Sequence, residues 1–507
     1  MAIHKKQEAN RRLRGKVLKS VLIIGAGPAG LAAASRILRD VKNEYQPVII
    51  ESTDHVGGIA CTIDYKGNRM DMGGHRFFSK NAEVLDEWFS LEPNHFEKRA
   101  RVSRIYFQHK FFDYPVTLAL KTVVNLGFSR TLAAGFSYLK AVIKKRPENS
   151  LEDFYINRFG VALYRLFFER YTEKLWGVHP RDLSADWGAQ RVKGLSLTRV
   201  ILDFFARPFK KDGRQKGETS LIDWFWYPLL GPGQYWEQVA DSVTDAGGEL
   251  LLNSDVIGLE TCVQDGGLQI TEATIRDAIS NQVRQISVDA VISSMPVKDL
   301  VAALGAAVPE PIRQIAANLP YRDFMMVGLL VNKLALSARH GDRISDCWIY
   351  IQDPEVKLGR IQIYNNWSAE MVADPDNTVW LGLEYCCAQG DELWNARDDE
   401  FIAFAAEELV NIGVIEKADV IDGTVVRVKK AYPAYFGAYE RFGEVRNYLD
   451  SIENLYCVGR NGQHRYNNMD HSMLTAFEAV RALLGSDHDK GALWSVNTEQ
   501  TYHEEFL

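Results

Sequence analysis

The chain has 507 residues, 46% of them hydrophobic and 25% charged, and a formal net charge of −7. That length is more than one hydrophobic core fills, so two or three domains are expected, and the acidic balance excludes a general nucleic-acid binder. No run of about 18 uncharged apolar residues occurs, so no membrane-spanning helix is expected. The six cysteines lack paired metal spacing; they read as free thiols in a reducing, cytoplasmic setting, with no metal site.

Residues 1–19 are basic and polar and lack the apolar core of a secretion signal, so a flexible tail is expected. Val21-Leu22-Ile23-Ile24 is a buried-strand pattern, followed at once by Gly25-Ala26-Gly27-Pro28-Ala29-Gly30 and an Ala/Leu-rich helix pattern to about Leu38. A second β-type run, Pro47 to Ile50, ends in Glu51. Strand, glycine turn, helix and acid together make a Rossmann unit. The glycines allow a tight turn and close approach to a pyrophosphate, and the acid suits a ribose hydroxyl. Gly57-Gly58 and Asp71-Met72-Gly73-Gly74-His75 come next. A second glycine pair so soon after the acid resembles two-domain flavoproteins and shifts the expected dinucleotide to FAD; the alternative is an ordinary glycine turn.

From about 117 to 210 the pattern is helical, with Phe159, Leu163, Leu166 and Phe167 at helical spacing, and Lys211 to Thr219 reads as a loop. Trp236 to Ala246 is a helix pattern, and Leu250 to Leu259 and Ala290 to Ser294 are strands expected to rejoin the first sheet. Four short runs, Asp323 to Asn332, Cys347 to Gln352, Gly359 to Tyr364 and Thr378 to Tyr385, predict an antiparallel sheet, followed by a helix over Glu400 to Ile412. Near the end, Asn454 to Val458 reads as a strand and Met473 to Leu484 as a helix. The loop between them carries Arg460, Arg465, Tyr466, Asn467, Asn468 and Asp470. Arginines beside a helix N-terminus suit phosphorylated groups, so both ends of the chain are expected to meet at one cofactor.

These motifs together resemble the flavin-dependent UDP-galactopyranose mutases, within the wider amine-oxidase and protoporphyrinogen-oxidase-like FAD superfamily. Gly73 to Ser79 is similar to the family's glycine–histidine loop beside the isoalloxazine, and Phe111-Phe112-Asp113-Tyr114-Pro115 to its strand ending in Tyr-Pro. Trp187 to Val192 resembles the segment carrying a diphosphate-binding arginine, Arg191, and Arg360 to Ser368 the sheet supplying a second. Ala431-Tyr432-Pro433 resembles the active-site tyrosine segment, and Gly459-Arg460 with Arg465 to Ser472 the closing signature. Tyr227 to Gln234 departs from the pattern, replacing a more glycine-rich turn.

The resemblance implies an α/β fold: a Rossmann-type (GR2-like) FAD-binding domain with a helical insert and an antiparallel-sheet substrate domain. The expected divisions are a tail over 1–19, FAD-binding parts over 20–110, 221–300 and 431–507, a helical part over 111–220 and the sheet over 301–430. The expected cofactor residues are Gly25, Gly27, Pro28, Ala29, Gly30, Glu51, Gly57, Gly58, Gly74, His75, Val256, Gly459, Arg460, Met469 and Asp470. The expected catalytic set is Arg191, Arg360, Tyr432, Tyr466, His75 and Asn468. Bland alternatives are surface ion pairs for the arginines, core packing for the tyrosines and a structural role for His75. The implied activity interconverts the pyranose and furanose forms of a UDP-hexose through a sugar adduct on N5 of reduced FAD, with NAD(P)H as external reductant. The competing reading is an FAD-dependent oxidoreductase of the amine-oxidase, protoporphyrinogen-oxidase or desaturase type. A nucleotide sugar is the expected partner, and the residues choose neither an oligomeric state nor a particular sugar.

Overall fold

A computed structural model of the chain describes residues 12–13, 16–41, 44–90, 95–114, 120–185, 224–264, 266–336, 344–485 and 489–497. Arg191, the 211–219 loop and most of the basic tail lie outside these residues.

Five parallel strands form one sheet in the order Glu249–Leu251, Tyr45–Ile50, Lys19–Ile24, Ala290–Ser293, Leu455–Cys457. Val21 and Ile23 enter one core under the helices Pro28–Asp40 and Met469–Leu484. Leu22 and Ile24 enter another beneath Val297–Leu304 and Phe442–Asp450. Both faces are covered, which is why this strand reads as an unbroken apolar run rather than an alternating one. Ser254–Gln264, whose first half falls in the expected strand over 250–259, forms a separate antiparallel sheet with two strands that were not anticipated, Gly267–Asp277 and Val283–Ser287. Of the expected strand over 250–259, only the first part therefore joins the parallel sheet.

A seven-stranded sheet runs Val420–Pro433, Tyr321–Val331, Val379–Cys387, Arg360–Ile363, Trp348–Ile351, Ser103–Phe107, Lys110–Asp113. All its pairs are antiparallel except Trp348–Ile351 with Ser103–Phe107. Along Tyr321–Val331, Met325, Val327 and Leu329 pack toward the helix Asp398–Asn411, while Phe324 and Met326 pack in a cluster with Met70, on the strand Asn68–Asp71, and Met72, which leads into the Gly73–Gly74 loop. The helical part contains Leu120–Leu126, Phe128–Ile143, Leu151–Leu163 and Glu169–Trp176. Gly160 breaks the third of these at φ 76°, and a Cβ there would lie 2.7 Å from Tyr138 N, so glycine permits the close crossing. Lys174 Nζ fastens this part to the sheet by donating to the carbonyls of Ile351, Asp353 and Leu358 at 3.1, 2.8 and 3.1 Å.

Candidate active site

The C-terminal ends of four parallel strands and the inner face of the large sheet enclose a cavity of about 1130 Å³. Ligands of open parallel sheets bind at such strand ends. Gly25, Gly27, Pro28, Ala29, Glu51, Gly58 and Val256 line one part; Gly74, His75, Arg360, Tyr432 and Tyr466 line another; Gly459, Arg460, Asn468, Met469 and Asp470 lie along it too. Gly30 and Gly57 do not line it. A Cβ on Gly30 would fall 1.8 Å from Gly25 O, so Gly30 serves the close packing of helix on strand. Gly57, at φ 95°, donates its N–H to Ala26 O and holds the second glycine pair against the first.

The cradle has the form a dinucleotide needs. The helix Pro28–Asp40 starts at Gly27 with no side-chain cap, leaving its terminal amides for an anion. Gly58 approaches so closely that a Cβ on Gly27 would lie 3.7 Å from its Cα. Glu51 Oε2 accepts from Ala26 N at 2.8 Å and Oε1 from Thr53 N at 2.9 Å, so the acid braces both loops and keeps lone pairs for a hydroxyl. The helix Met469–Leu484 begins at Asn468, in a capping box with His471 in place of the usual acid. This start lies a turn before the expected Met473. Asp470 sits in its first turn, where a carboxylate suits a hydroxyl better than a phosphate. These groups fit FAD: the uncapped helix start at the glycines suits its pyrophosphate, and the acids Glu51 and Asp470 and the loop of Gly74 and His75 line the same cavity.

The closing loop contributes less charge than its composition implies. Arg465 does not reach the cavity; its Nη1 donates to the carbonyls of Trp494 and Val496 at 3.1 and 3.0 Å. Arg460 lines the cavity, but Nε donates to Asn467 O at 3.0 Å and Nη1 to Ala431 O at 3.3 Å. Its guanidinium lies 4.4 Å from the Tyr466 ring and backs the stacked pair Tyr432–Tyr466, whose centroids are 5.7 Å apart and planes 4° from parallel.

Opposite, three strands align Tyr350, Arg360 and Glu384 as direct cross-strand neighbours. Arg360 Nε donates to Glu384 Oε1 at 2.6 Å and Nη2 pairs with Oε2 at 2.6 Å; Gln362 Nε2 also donates to Oε1 at 2.6 Å. Burial pushes the Arg360 pKa down, but Glu384 and Tyr350 more than offset it and hold it well above the ordinary value. The guanidinium is thus permanently charged and already half-bonded. A guanidinium has five N–H donors, so three remain for a second anion. Burial drives the Tyr432 hydroxyl well above its ordinary range, leaving a neutral donor. Glu384, Gln362 and Tyr350 were not anticipated. The one legible signal was an acid inside the apolar run Val379–Cys387.

His75 is neutral: burial, then the charges of Arg460 and Arg360, push it down to about 4, and Nε2 lies 2.9 Å from Met72 O. Burial also pushes His464 down to about 4. A histidine depressed in the folded state favours folding when neutral. Its contribution is therefore present above the ordinary value of 6.5 and is lost as pH falls toward about 4. Asp71, which burial pushes up to about 7 beneath the Gly73–Gly74 loop, works in the opposite direction over much of that window. His464→Gln is therefore expected to flatten the acid-side rise of stability, by about one proton's slope, relative to the parent. Denaturant midpoints measured from pH 4 to 7 check this; parallel slopes for parent and variant would refute it.

The signature of the family described as flavin containing amine oxidoreductase matches residues 28–483. A probable UDP-galactopyranose mutase from Klebsiella pneumoniae is 26% identical over 181 residues, covering 33% of this chain and 43% of that protein. A 1-hydroxycarotenoid 3,4-desaturase from Flavobacterium sp. (strain P99-3) is 32% identical over 107 residues, 20% of this chain and 21% of that one. The chain thus spans less than half the length of these curated relatives in sequence. The crystal structure of reduced UDP-galactopyranose mutase superposes with a TM-score of 0.77 at 20% identity, over 96% of this chain and 99% of that one. A putative protoporphyrinogen oxidase from Exiguobacterium sp. 255-15 gives 0.65 at 16% identity, over 91% and 98%. At such identities the likeness establishes the fold. The family match extends over most of the chain and ends on the helix that closes the cavity, so the chain belongs to the flavin containing amine oxidoreductase family, which implies FAD.

Proposed function

We propose that the protein is an FAD-dependent nucleotide-sugar mutase that interconverts the pyranose and furanose forms of a UDP-hexose. The observation that carries this reading is Arg360, charged and with donors to spare, lining the same cavity as Tyr432 and Tyr466 and facing the Gly73–Gly74–His75 loop. In this reading Gly25, Gly27, Pro28 and Ala29 hold the cofactor pyrophosphate, Glu51 a ribose hydroxyl, and Val256, Met469 and Asp470 flank the dinucleotide. Bound FAD in its reduced form would supply a nucleophilic nitrogen for the anomeric carbon. The chain's own residues hold the leaving group. Arg360 and, from the sequence resemblance, Arg191 bind the diphosphate, and Tyr432 and Tyr466 donate to it as neutral hydroxyls. Charge grows on the diphosphate as its bond to the sugar breaks, so these contacts strengthen in the transition state. Asn468 caps the adjoining helix, and neutral His75 adds no charge beside the ring. NAD(P)H is the proposed reductant, and the cytoplasm the proposed setting.

The chemistry is redox-neutral, so one reduction should support many turnovers. Under anaerobic conditions, furanose formed per NAD(P)H oxidised is expected to exceed one by a wide margin with UDP-galactopyranose or another UDP-hexose. A ratio fixed at one, or no sugar product, would favour the second reading: an oxidoreductase of the amine-oxidase or desaturase type. The parallel tyrosine pair favours that alternative, because it gives the cavity an aromatic wall, and so does the Glu384 carboxylate, which offsets the charge of Arg360 toward a second anion.

A further inference from the structure

Away from the cavity, seven of the thirteen large apolar side chains exposed among the described residues fall within Val124–Ile143. Scattered exposure would need no explanation; this concentration does. On the helix Phe128–Ile143, the inner face buries Tyr138 and Ala141 against the helix Leu151–Leu163. The outer face presents Phe128, Leu132, Phe136, Leu139 and Ile143, which are 74, 46, 71, 57 and 85% exposed. At 100° per residue these five side chains share one stripe.

The charge around the stripe is one-sided. Residues 128–146, the helix and its C-terminal end, contain Arg130, Lys140, Lys144, Lys145 and Arg146 and not one Asp or Glu, in a chain whose net charge is −7; of these, Arg146 lies 3.8 Å from the Asp153 carboxylate. Lys140 borders the stripe, and the last three follow it directly at the helix end. A second copy of this chain would bring these like charges face to face across a two-fold contact, which is unfavourable. An anionic bilayer satisfies both features: the apolar side chains enter the boundary of the acyl region, and the basic heads stay among the phosphates. The helix has 16 residues, about 24 Å, too short to cross a bilayer but long enough to lie in its surface.

We propose that this helix docks the protein on an anionic membrane surface, lying in the interface rather than spanning it. The inference is independent of the reaction assigned to the cavity. The test is flotation of the full-length, flavin-loaded protein with phosphatidylcholine vesicles, with and without phosphatidylglycerol. Binding is expected only with the anionic lipid and should fade as salt rises. Lys144→Glu with Lys145→Glu should lower the bound fraction by roughly tenfold or more. Phe136→Asp should abolish binding at unchanged flavin content, because that ring is 71% exposed and lies outside the core. Failure to float with anionic vesicles, or flotation of both variants like the parent, would overturn the proposal. So would a dimer in sedimentation velocity that Phe136→Asp dissociates while vesicles go unbound, since a second copy would then be the occupant.

Discussion

Gly27→Val is expected to give a folded chain that purifies without flavin. The backbone does not call for glycine there: φ is −78°, open to any residue. Nor does the packing, since the nearest atom a Cβ would meet is Gly58 Cα at 3.7 Å, an ordinary contact. What excludes a side chain is the cofactor pyrophosphate proposed to sit on this turn. Forcing methyl groups into a filled site costs about 1–3 kcal/mol, and displacing the diphosphate from the helix amides adds to it. Affinity for FAD should fall by roughly a hundredfold or more. Gly30→Val is the contrasting variant. Its Cβ would collide with Gly25 O at 1.8 Å, so it should fail to fold rather than merely lose cofactor. The ratio of flavin to protein absorbance, read beside far-UV circular dichroism, separates the two outcomes. Stoichiometric flavin in folded Gly27→Val would remove the pyrophosphate from this turn.

The contrast between these glycines shows which parts of the molecule are legible in sequence. The first strand, the glycine turn and its helix are dictated by local forces: both faces of Val21–Ile24 are buried, and the approach of Gly30 to Gly25 admits no side chain. Those constraints leave an unbroken apolar run and a fixed glycine spacing. Strands that are half-exposed leave no such mark. Val420–Pro433 carries Asp422, Arg427, Lys429 and Lys430, and Gly267–Asp277 carries Glu272 and Arg276, so neither reads as a strand, although the first forms one edge of the large sheet and the second the middle of its own. Arg465 was misjudged for a related reason: its hydrogen-bond acceptors are backbone carbonyls about thirty positions further along, and backbone carbonyls have no sequence signature. Arg360 was reached through a family-like segment. The acid at Glu384 stood out within its apolar run, but its partner did not, because only the register of Arg360–Ile363 on Val379–Cys387 sets it opposite Arg360.

That register shapes the result expected at Arg360. Arg360→Ala should lower kcat/KM by roughly ten- to hundredfold, the effect of losing charge-assisted contacts worth about 1.5–3 kcal/mol. It also strands the Glu384 carboxylate, 8% exposed and left with Gln362, and breaking a buried pair from one side costs about 3–5 kcal/mol. The single variant therefore confounds lost substrate binding with lost stability. Arg360→Ala combined with Glu384→Gln removes the stranded charge. It should recover much of the melting temperature and keep the flavin spectrum of the parent, yet leave turnover as low as in the single variant. Arg360→Lys should rescue only part, since one ammonium cannot hold Glu384 side-on and fork onto a diphosphate as well. Arg191→Ala should show the kinetic loss alone if Arg191 is the clamp's second arm. Parent-like turnover on every accepted nucleotide sugar, in the Arg360/Glu384 double variant and in Arg191→Ala, would remove the diphosphate from this wall. The stacked tyrosines would then be an aromatic wall for an oxidisable substrate, and the oxidoreductase reading would take the mutase's place.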